Sequence, residues 1–166
     1  MKELLAYRRS LIERLITVTN EFCSTCLASN DAFVPLAEGD WNVHQVAVHV
    51  RDVDKLVYGL RARRTAAEEN PKFQNFDGEW YMIEHYSAKE PLPQILDELR
   101  GNVEGLANLL RELPAEAWSR ESRHATLGDG FTLQTWVERD LAHIEGHMET
   151  VNCVTRGEDR SASSTN

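Results

Sequence analysis

The chain has 166 residues, of which 42% are hydrophobic, and its formal net charge at pH 7 is −9. This length favours a single domain with a substantial hydrophobic core, and no apolar run is long enough to span a bilayer. The acidic charge argues against nucleic acid and against an anionic membrane surface as partners.

The N-terminal segment is predicted to form a helix from about Lys2 to Ala28. Its apolar residues recur at helical spacings and should form one buried stripe: Leu4, Leu11, Leu15, Val18 and Phe22. Because this segment lacks the apolar centre and the small-residue cleavage site of a signal peptide, we expect a cytoplasmic protein.

Two cysteines near the end of this helix, Cys23 and Cys26, have the spacing of a redox motif. A thioredoxin-type motif would follow a strand and open a helix, which these residues do not. With Cys153 the count is odd, and nothing indicates secretion. Reduced, packed thiols are therefore the simpler interpretation.

A connection at residues 32–40 precedes a second helix, which is predicted from Asn42, its N-cap, to about Ala67. Its inward side chains should be Val46, Val50, Val53, Val57 and Leu60. The segment from Asn70 to Pro91 is long for a connection between two helices of a bundle. Such loops are often functional or contain a short helix, and residues 78–86 could form one.

A third helix is expected over Leu92–Leu113, followed by one helical turn at residues 114–120 and a turn or short hairpin at residues 122–131. Its inward residues should be Leu96, Leu99, Val103, Leu106 and Leu110. Thr132 can cap a last helix that reaches about Thr155 and stops at Gly157. Residues 158–166 form a polar tail that we expect to be disordered. The prediction is an all-α protein, with one four-helix-bundle domain at residues 1–157.

Three histidines are the strongest chemical signal in the sequence. His143 and His147 are four residues apart on the last helix, so their side chains project from one face. Two imidazoles in that arrangement can bind one metal ion. His49 shares an inward row with Val46 and Val53 on the second helix and could supply a third ligand. A three-histidine site keeps open coordination positions, which suits metal-assisted chemistry; three hydrogen-bonded core histidines are the alternative.

The histidine pair does not belong to a zincin-type protease. That motif places a glutamate directly after the first histidine, as the general base. Here Ile144 occupies that position, and Glu145 points roughly 160–200° away from both histidines on the helix. The helix therefore has the ligands but not the base.

Other polar residues are secondary candidates. Asp52 and Asp140 lie three residues from His49 and His143, where either could hydrogen-bond a ligating imidazole; exposed carboxylates are the alternative. The remaining histidines are expected at the surface: His44, His85 and His124. The candidates for lining a pocket above the metal are aromatic: Trp80, Tyr81, His85, Tyr86 and Trp136. These rings could instead cap the end of the bundle.

Two stretches of the sequence resemble the DinB/YfiT-like family. WNVHQVAVHVRD at residues 41–52 resembles its tryptophan-then-histidine opening of the second helix, and DLAHIEGHM at residues 140–148 resembles its C-terminal histidine pair. The order and spacing of the predicted helices also agree over roughly residues 1–155.

The resemblance implies a bundle with up-down-down-up connectivity, often as a homodimer. It also implies one divalent metal ion, zinc or nickel, on His49, His143 and His147. Some members of the family are S-transferases or isomerases that use a low-molecular-weight thiol such as mycothiol or bacillithiol.

Three functional hypotheses follow from the sequence. The first is a metal-dependent enzyme that acts on a small molecule, either a thiol S-transferase or, as a variant, a hydrolase. The second is a non-catalytic protein that binds a metal or a small molecule. The third is a structural bundle in which the histidines are packed core residues.

Overall fold

The computed structural model describes residues 2–37 and 40–162, with side chains up to residue 152. The helices are α1 (Lys2–Leu27), α2 (Val43–Val53), α3 (Gly59–Ala67), α4 (Gly78–His85), α5 (Leu92–Glu112) and α6 (Leu133–Ala162). A π-helical segment, Asp54–Tyr58, joins α2 to α3, and a 3-10 helix at Ala115–Ser119 follows α5. The protein is therefore mostly helical, with long helical stretches at α1, α2–α3, α5 and α6, as predicted. None of the described helices is long and apolar enough to cross a membrane.

The hydrophobic periodicity predicts most of the core. Every predicted inward residue of α5 is buried, as are four of the five in α1. Leu4 is 42% exposed, because the first buried residue of α1 is Arg8 and the first turn extends past the packed part of the bundle. Leu60 is 40% exposed because the π-helical segment inserts a residue and rotates α3, which buries Arg61 and Ala62 instead.

The predicted hairpin is present, and a strand that the sequence did not indicate pairs with it. Strands β2 (Glu121–His124) and β3 (Gly128–Thr132) are antiparallel, and β1 (Lys72–Phe73) pairs in parallel with β2. Gly128 has φ +92°, a conformation that suits glycine at the turn. A strand of two residues is too short to show alternation, which is why the sequence does not predict β1.

The helix ends agree with the capping predictions, with one exception. Asn42 accepts a hydrogen bond from the backbone N–H of Gln45 in a capping box, and Thr132 accepts one from Thr135 at the start of α6. The predicted stop at Gly157 is wrong, since α6 continues to Ala162. One glycine inside a helix costs only about 1 kcal/mol relative to alanine, which does not end a long helix. Of the predicted tail, residues 163–166 lie outside the described residues.

Contacts between helices place α2 against α6, where the histidines meet. Helix α1 packs on α5 and α6, and the α2–α3 stretch packs on the same two helices. Between α1 and α6, the hydrogen-bonded side chains are Tyr7 with Glu138, Arg8 with Gln134 and Arg14 with Glu145. Between α2–α3 and α5, the pairs are Arg51 and Lys55, both with Glu98, and Arg63 with the carbonyl of Asn102. Between α2–α3 and α6, they are His49 with His143 and Arg61 with Trp136.

The cysteines of α1 belong to the core. Cys23 and Cys26 are fully buried, and burial raises the pKa of their thiols to about 11 and about 12. Both thiols therefore stay protonated at neutral pH, which agrees with packed residues and not with a redox motif. The side chain of Cys153 lies outside the described residues.

Candidate metal centre

The three predicted histidines come together between α2 and α6. Each of His49, His143 and His147 can offer one ring nitrogen, and these atoms all lie within 4.8 Å of one another. The Nε2 atoms of His49 and His143 are 3.2 Å apart. The spacing of four residues on α6 brings two imidazoles to one face, and α2 supplies the third from across the helix interface.

Burial keeps all three imidazoles in the neutral form. Burial lowers the pKa of His49 to about 4 and that of His143 to about 3, and it also lowers the pKa of His147. Protonation of neighbouring imidazoles lowers the first two pKa values further. Neutral imidazole is the form that binds a metal ion, so this cluster carries usable lone pairs at neutral pH.

The donor set fits a divalent ion. Nε2 of His143 faces His49, while its Nδ1 is buried with no hydrogen-bond partner among the described residues. Nε2 of His143 is thus available to an ion, whereas Nδ1 lacks the hydrogen bond that usually orients a ligating imidazole. Three imidazole nitrogens suit zinc, nickel, iron or copper.

The walls of the cluster are aromatic on one side and backbone on another. The ring of Trp41 lies 4.8 Å from that of His49, and the ring of Tyr58 lies 5.6 Å from that of His143. Gly78, the first residue of α4, approaches so closely that a Cβ atom there would lie 2.8 Å from Cε1 of His49. The start of α4 thus restricts the His49 ring. No sequence pattern marks Gly78, because the contact joins elements distant along the chain.

Two carboxyl groups are buried in the layer next to the histidines. Asp54, in the π-helical segment, and Asp140, on α6, are fully buried, and none of their oxygens has a donor among the described groups. Burial raises the pKa of Asp54 to about 6; burial and then the charge of Asp54 raise the pKa of Asp140 well above its usual range. A proton shared between the two facing carboxyl groups would give each of them one hydrogen-bond partner. Sequence reasoning missed Asp54, although it lies four residues after Val50 on the buried row.

The two aspartates predicted beside the histidines have different surroundings. Asp52 accepts a hydrogen bond from Nε of Arg51 at 2.7 Å, and Arg51 also pairs with Glu90 and Glu98 of the α5 region. Asp52 therefore belongs to an ion network that ties α2 to α5. Asp140 is buried one turn before His143 and faces Asp54.

Two of the three other histidines are not at the surface, contrary to the expectation from sequence. His44 is 1% exposed: its Nε2 donates to the carbonyl of Glu90, and its Nδ1 lies 3.0 Å from the hydroxyl of Tyr86. His124 is 5% exposed and accepts backbone N–H groups of the hairpin turn at Nδ1. The partners of His44 lie 42 and 46 residues away along the chain, whereas those of His124 are Thr126 and Leu127 in the adjoining turn. His85 is exposed, as expected, and stacks on Tyr81.

A cavity of about 670 Å³ opens beside the cluster, and His147 forms part of its wall. The other lining residues are Leu36, Asp40, Trp41, Gln45, Val46, Glu79, Met82, Ile83, Tyr86 and Thr150. Of the five predicted lining residues, Tyr86 is the one that lines it.

The other four predicted lining residues lie elsewhere. Trp136 is fully buried, where its indole donates to Ser122 of the hairpin. Trp80 is 57% exposed, and Tyr81 and His85 stack on each other at 4.0 Å. The residues of α4 that face the cavity are instead Glu79, Met82 and Ile83, because a helix turns about 100° per residue.

Comparisons with known proteins agree with this architecture. The structure is similar to that of YfiT from Bacillus subtilis, described as a probable metal-dependent hydrolase with an unusual four-helix bundle topology. The TM-score is 0.82 at 21% sequence identity, over 92% of this chain and 87% of that one. A comparison with curated protein sequences found no match. The model of the DinB superfamily matches residues 11–151, and the chain therefore belongs to the DinB superfamily.

Proposed function

We propose that the protein is a metal-dependent enzyme in which His49, His143 and His147 bind one divalent ion, zinc or nickel. The observation that carries this proposal is the convergence of three neutral ring nitrogens within 4.8 Å of one another, at the wall of a cavity. A structural zinc site would normally have four protein ligands, whereas three ligands leave a position for a substrate or water.

The ion would supply Lewis-acid chemistry, lowering the pKa of a thiol or a water molecule so that it attacks at neutral pH. One ring nitrogen of each histidine lies within 4.8 Å of the other two, and His147 also forms part of the cavity wall. Trp41 and Gly78 restrict His49. This combination of fixed ligands and an adjoining cavity is what a small-molecule enzyme needs.

The first candidate reaction is transfer of a low-molecular-weight thiol to an electrophilic small molecule. The second is hydrolysis, which the similarity in fold to YfiT, described as a probable metal-dependent hydrolase, favours. Both reactions would use the same open coordination position of the bound ion, and they would differ in whether sulfur or water occupies it.

The first experiment is elemental analysis of protein purified without chelators or an affinity tag. We expect about one zinc or nickel ion per chain, a large loss in His143→Ala, and no change in His85→Ala. His85 is a matched control because it is an exposed histidine outside the cluster. Metal content well under one ion per chain, unchanged by His143→Ala, would contradict the proposal.

A second experiment separates an enzyme from a binding protein. Metal-loaded and metal-stripped protein are assayed with a panel of thiols against electrophiles, and with activated esters in the absence of thiol. Metal-dependent turnover in the first assay supports the transferase, and in the second the hydrolase. Metal binding without turnover in either assay would favour the non-catalytic alternative.

We also infer up-down-down-up connectivity for the four long helical stretches. Along α1, contacts move from Glu138 and Gln134 at Tyr7 and Arg8 to Glu145 at Arg14, so α1 and α6 run in the same direction. Along α2–α3, contacts move from Glu98 at Arg51 and Lys55 to Asn102 at Arg63, which supports a parallel α5. Residue numbers run in opposite directions between α2–α3 and α6, from His49 with His143 to Arg61 with Trp136. Parallel first and fourth stretches with parallel second and third stretches fit this order.

A further inference from the structure

The cavity beside the histidine cluster carries negative charge and no opposing cation among its described lining residues. Asp40 and Glu79 belong to the lining, and none of the lining residues is lysine or arginine. Both carboxylates are exposed, and neither forms a salt bridge within the described part of the chain. The net charge of −9 adds to the negative potential.

The remaining wall is mainly apolar and aromatic. Met82 is buried in it, Ile83 is 79% exposed, and the rings of Trp41 and Tyr86 are partly buried. An exposed isoleucine near two aromatic rings favours a ligand with an apolar body. The faces of tryptophan and tyrosine rings also attract cations, most strongly when water is excluded.

We propose that this cavity selects small molecules that carry a positive charge on an apolar or aromatic body, and disfavours anionic ones. The inference rests on the proposed function in one respect: the donor atom of the ligand, sulfur or oxygen, would bind the ion of the histidine cluster, which adjoins the cavity at His147. The ion attracts that electron-rich end, and Asp40 and Glu79 attract a cationic end. The ligand is therefore dipolar, and a thiol rich in carboxylates is a poor fit.

The test compares three thiols that differ in charge: thiocholine, its neutral isostere neohexyl thiol, and the anion mercaptoethanesulfonate. Dissociation constants are measured by calorimetry on zinc-loaded protein. The quantity of interest is the ratio of the thiocholine affinity to the neohexyl thiol affinity, compared between wild type and Asp40→Asn/Glu79→Gln. Differences in intrinsic thiol acidity cancel in that comparison.

An exposed carboxylate paired with a cation changes affinity by up to about fivefold. We therefore expect the ratio to fall by about three- to tenfold in Asp40→Asn/Glu79→Gln, and the binding of mercaptoethanesulfonate to tighten. The matched control is Glu84→Gln, on the same helix as Glu79 and exposed but outside the lining, which should leave the ratio unchanged. An unchanged ratio in the double variant would overturn the inference.

A second ligand separates this inference from the proposed function. Benzyltrimethylammonium has no thiol and should bind metal-free protein in a way that weakens in Asp40→Asn/Glu79→Gln. One outcome is that benzyltrimethylammonium binds metal-free protein and binds the double variant more weakly, while each of the three thiols has the same affinity with and without zinc. In that case the metal-centred function fails and the charge preference stands. If benzyltrimethylammonium does not bind wild-type protein, the charge preference is refuted, whatever the thiols do.

Discussion

Substitution of Gly78 by alanine should weaken metal binding without contact to the metal itself. The added Cβ would lie 2.8 Å from Cε1 of His49 and 3.7 Å from Cγ2 of Val53. Carbon atoms pack at about 3.5–4.0 Å, so the ring has to move by roughly 0.7 Å or more. Rings on the other sides confine it, with centroids 4.8 Å away at Trp41 and 5.0 Å away at His147. We expect zinc affinity to fall about tenfold, as it does when residues that orient ligands are replaced.

The stability of the metal-free protein provides an internal check on this substitution. Alanine in place of a helical glycine stabilises by about 0.5–1 kcal/mol when the space is free. Gly101, in α5, is the matched control, because nothing lies within 4 Å of the position that its Cβ atom would take. At Gly78, overpacking costs about 1–3 kcal/mol and should offset that gain. Zinc titration with a competing chelator and urea unfolding measure both effects. If Gly78→Ala binds zinc like wild type and gains as much stability as Gly101→Ala, the contact does not restrain His49.

Three further predictions concern the buried polar groups. His44→Ala should lower the unfolding free energy by about 2–4 kcal/mol, since it removes a buried ring whose two nitrogens are both hydrogen-bonded. The metal content should stay unchanged, and loss of metal from the folded variant would contradict a purely structural role for His44. Asp54→Ala should lower the unfolding free energy by about 1–3 kcal/mol more than Asp54→Asn does, because the asparagine amide can still donate a hydrogen bond to Asp140. Equal urea midpoints for the two variants would contradict a proton shared between Asp54 and Asp140. For His143, the folded pKa of about 3 lies below the ordinary value of 6.5, so its stabilising contribution is present above pH 6.5 and is lost as the pH falls towards 3. Metal-free wild type should therefore lose roughly 2 kcal/mol relative to His143→Gln between pH 7 and pH 5, and parallel stability profiles would refute this.

Hydrophobic periodicity and capping rules predict the features of this structure that are determined within a single helix. The row on α5 and the caps at Asn42 and Thr132 follow from local rules, and the structure has them. The sequence also predicts that the three histidines lie together, because each is on an inward face of a predicted helix. What the sequence does not contain is the approach of one element to another. Gly78 has no evident role until α4 is placed against α2, and the burial of His44 depends on partners 42 and 46 residues away.

The π-helical segment explains why periodicity fails at the centre of the bundle. An extra residue in the turn at residues 54–58 rotates α3, so that Leu60 faces solvent and Arg61 lies over the ring of Trp136 at 4.9 Å. Gly59 allows the turn to stay compact, since a Cβ there would lie 2.7 Å from the carbonyl oxygen of Asp54. The irregular turn is thus where the polar pair of Asp54 and Asp140 replaces apolar packing, one layer from the histidines. π-Helical turns are frequent at functional sites, and this one lies between the histidine cluster and the rest of the core.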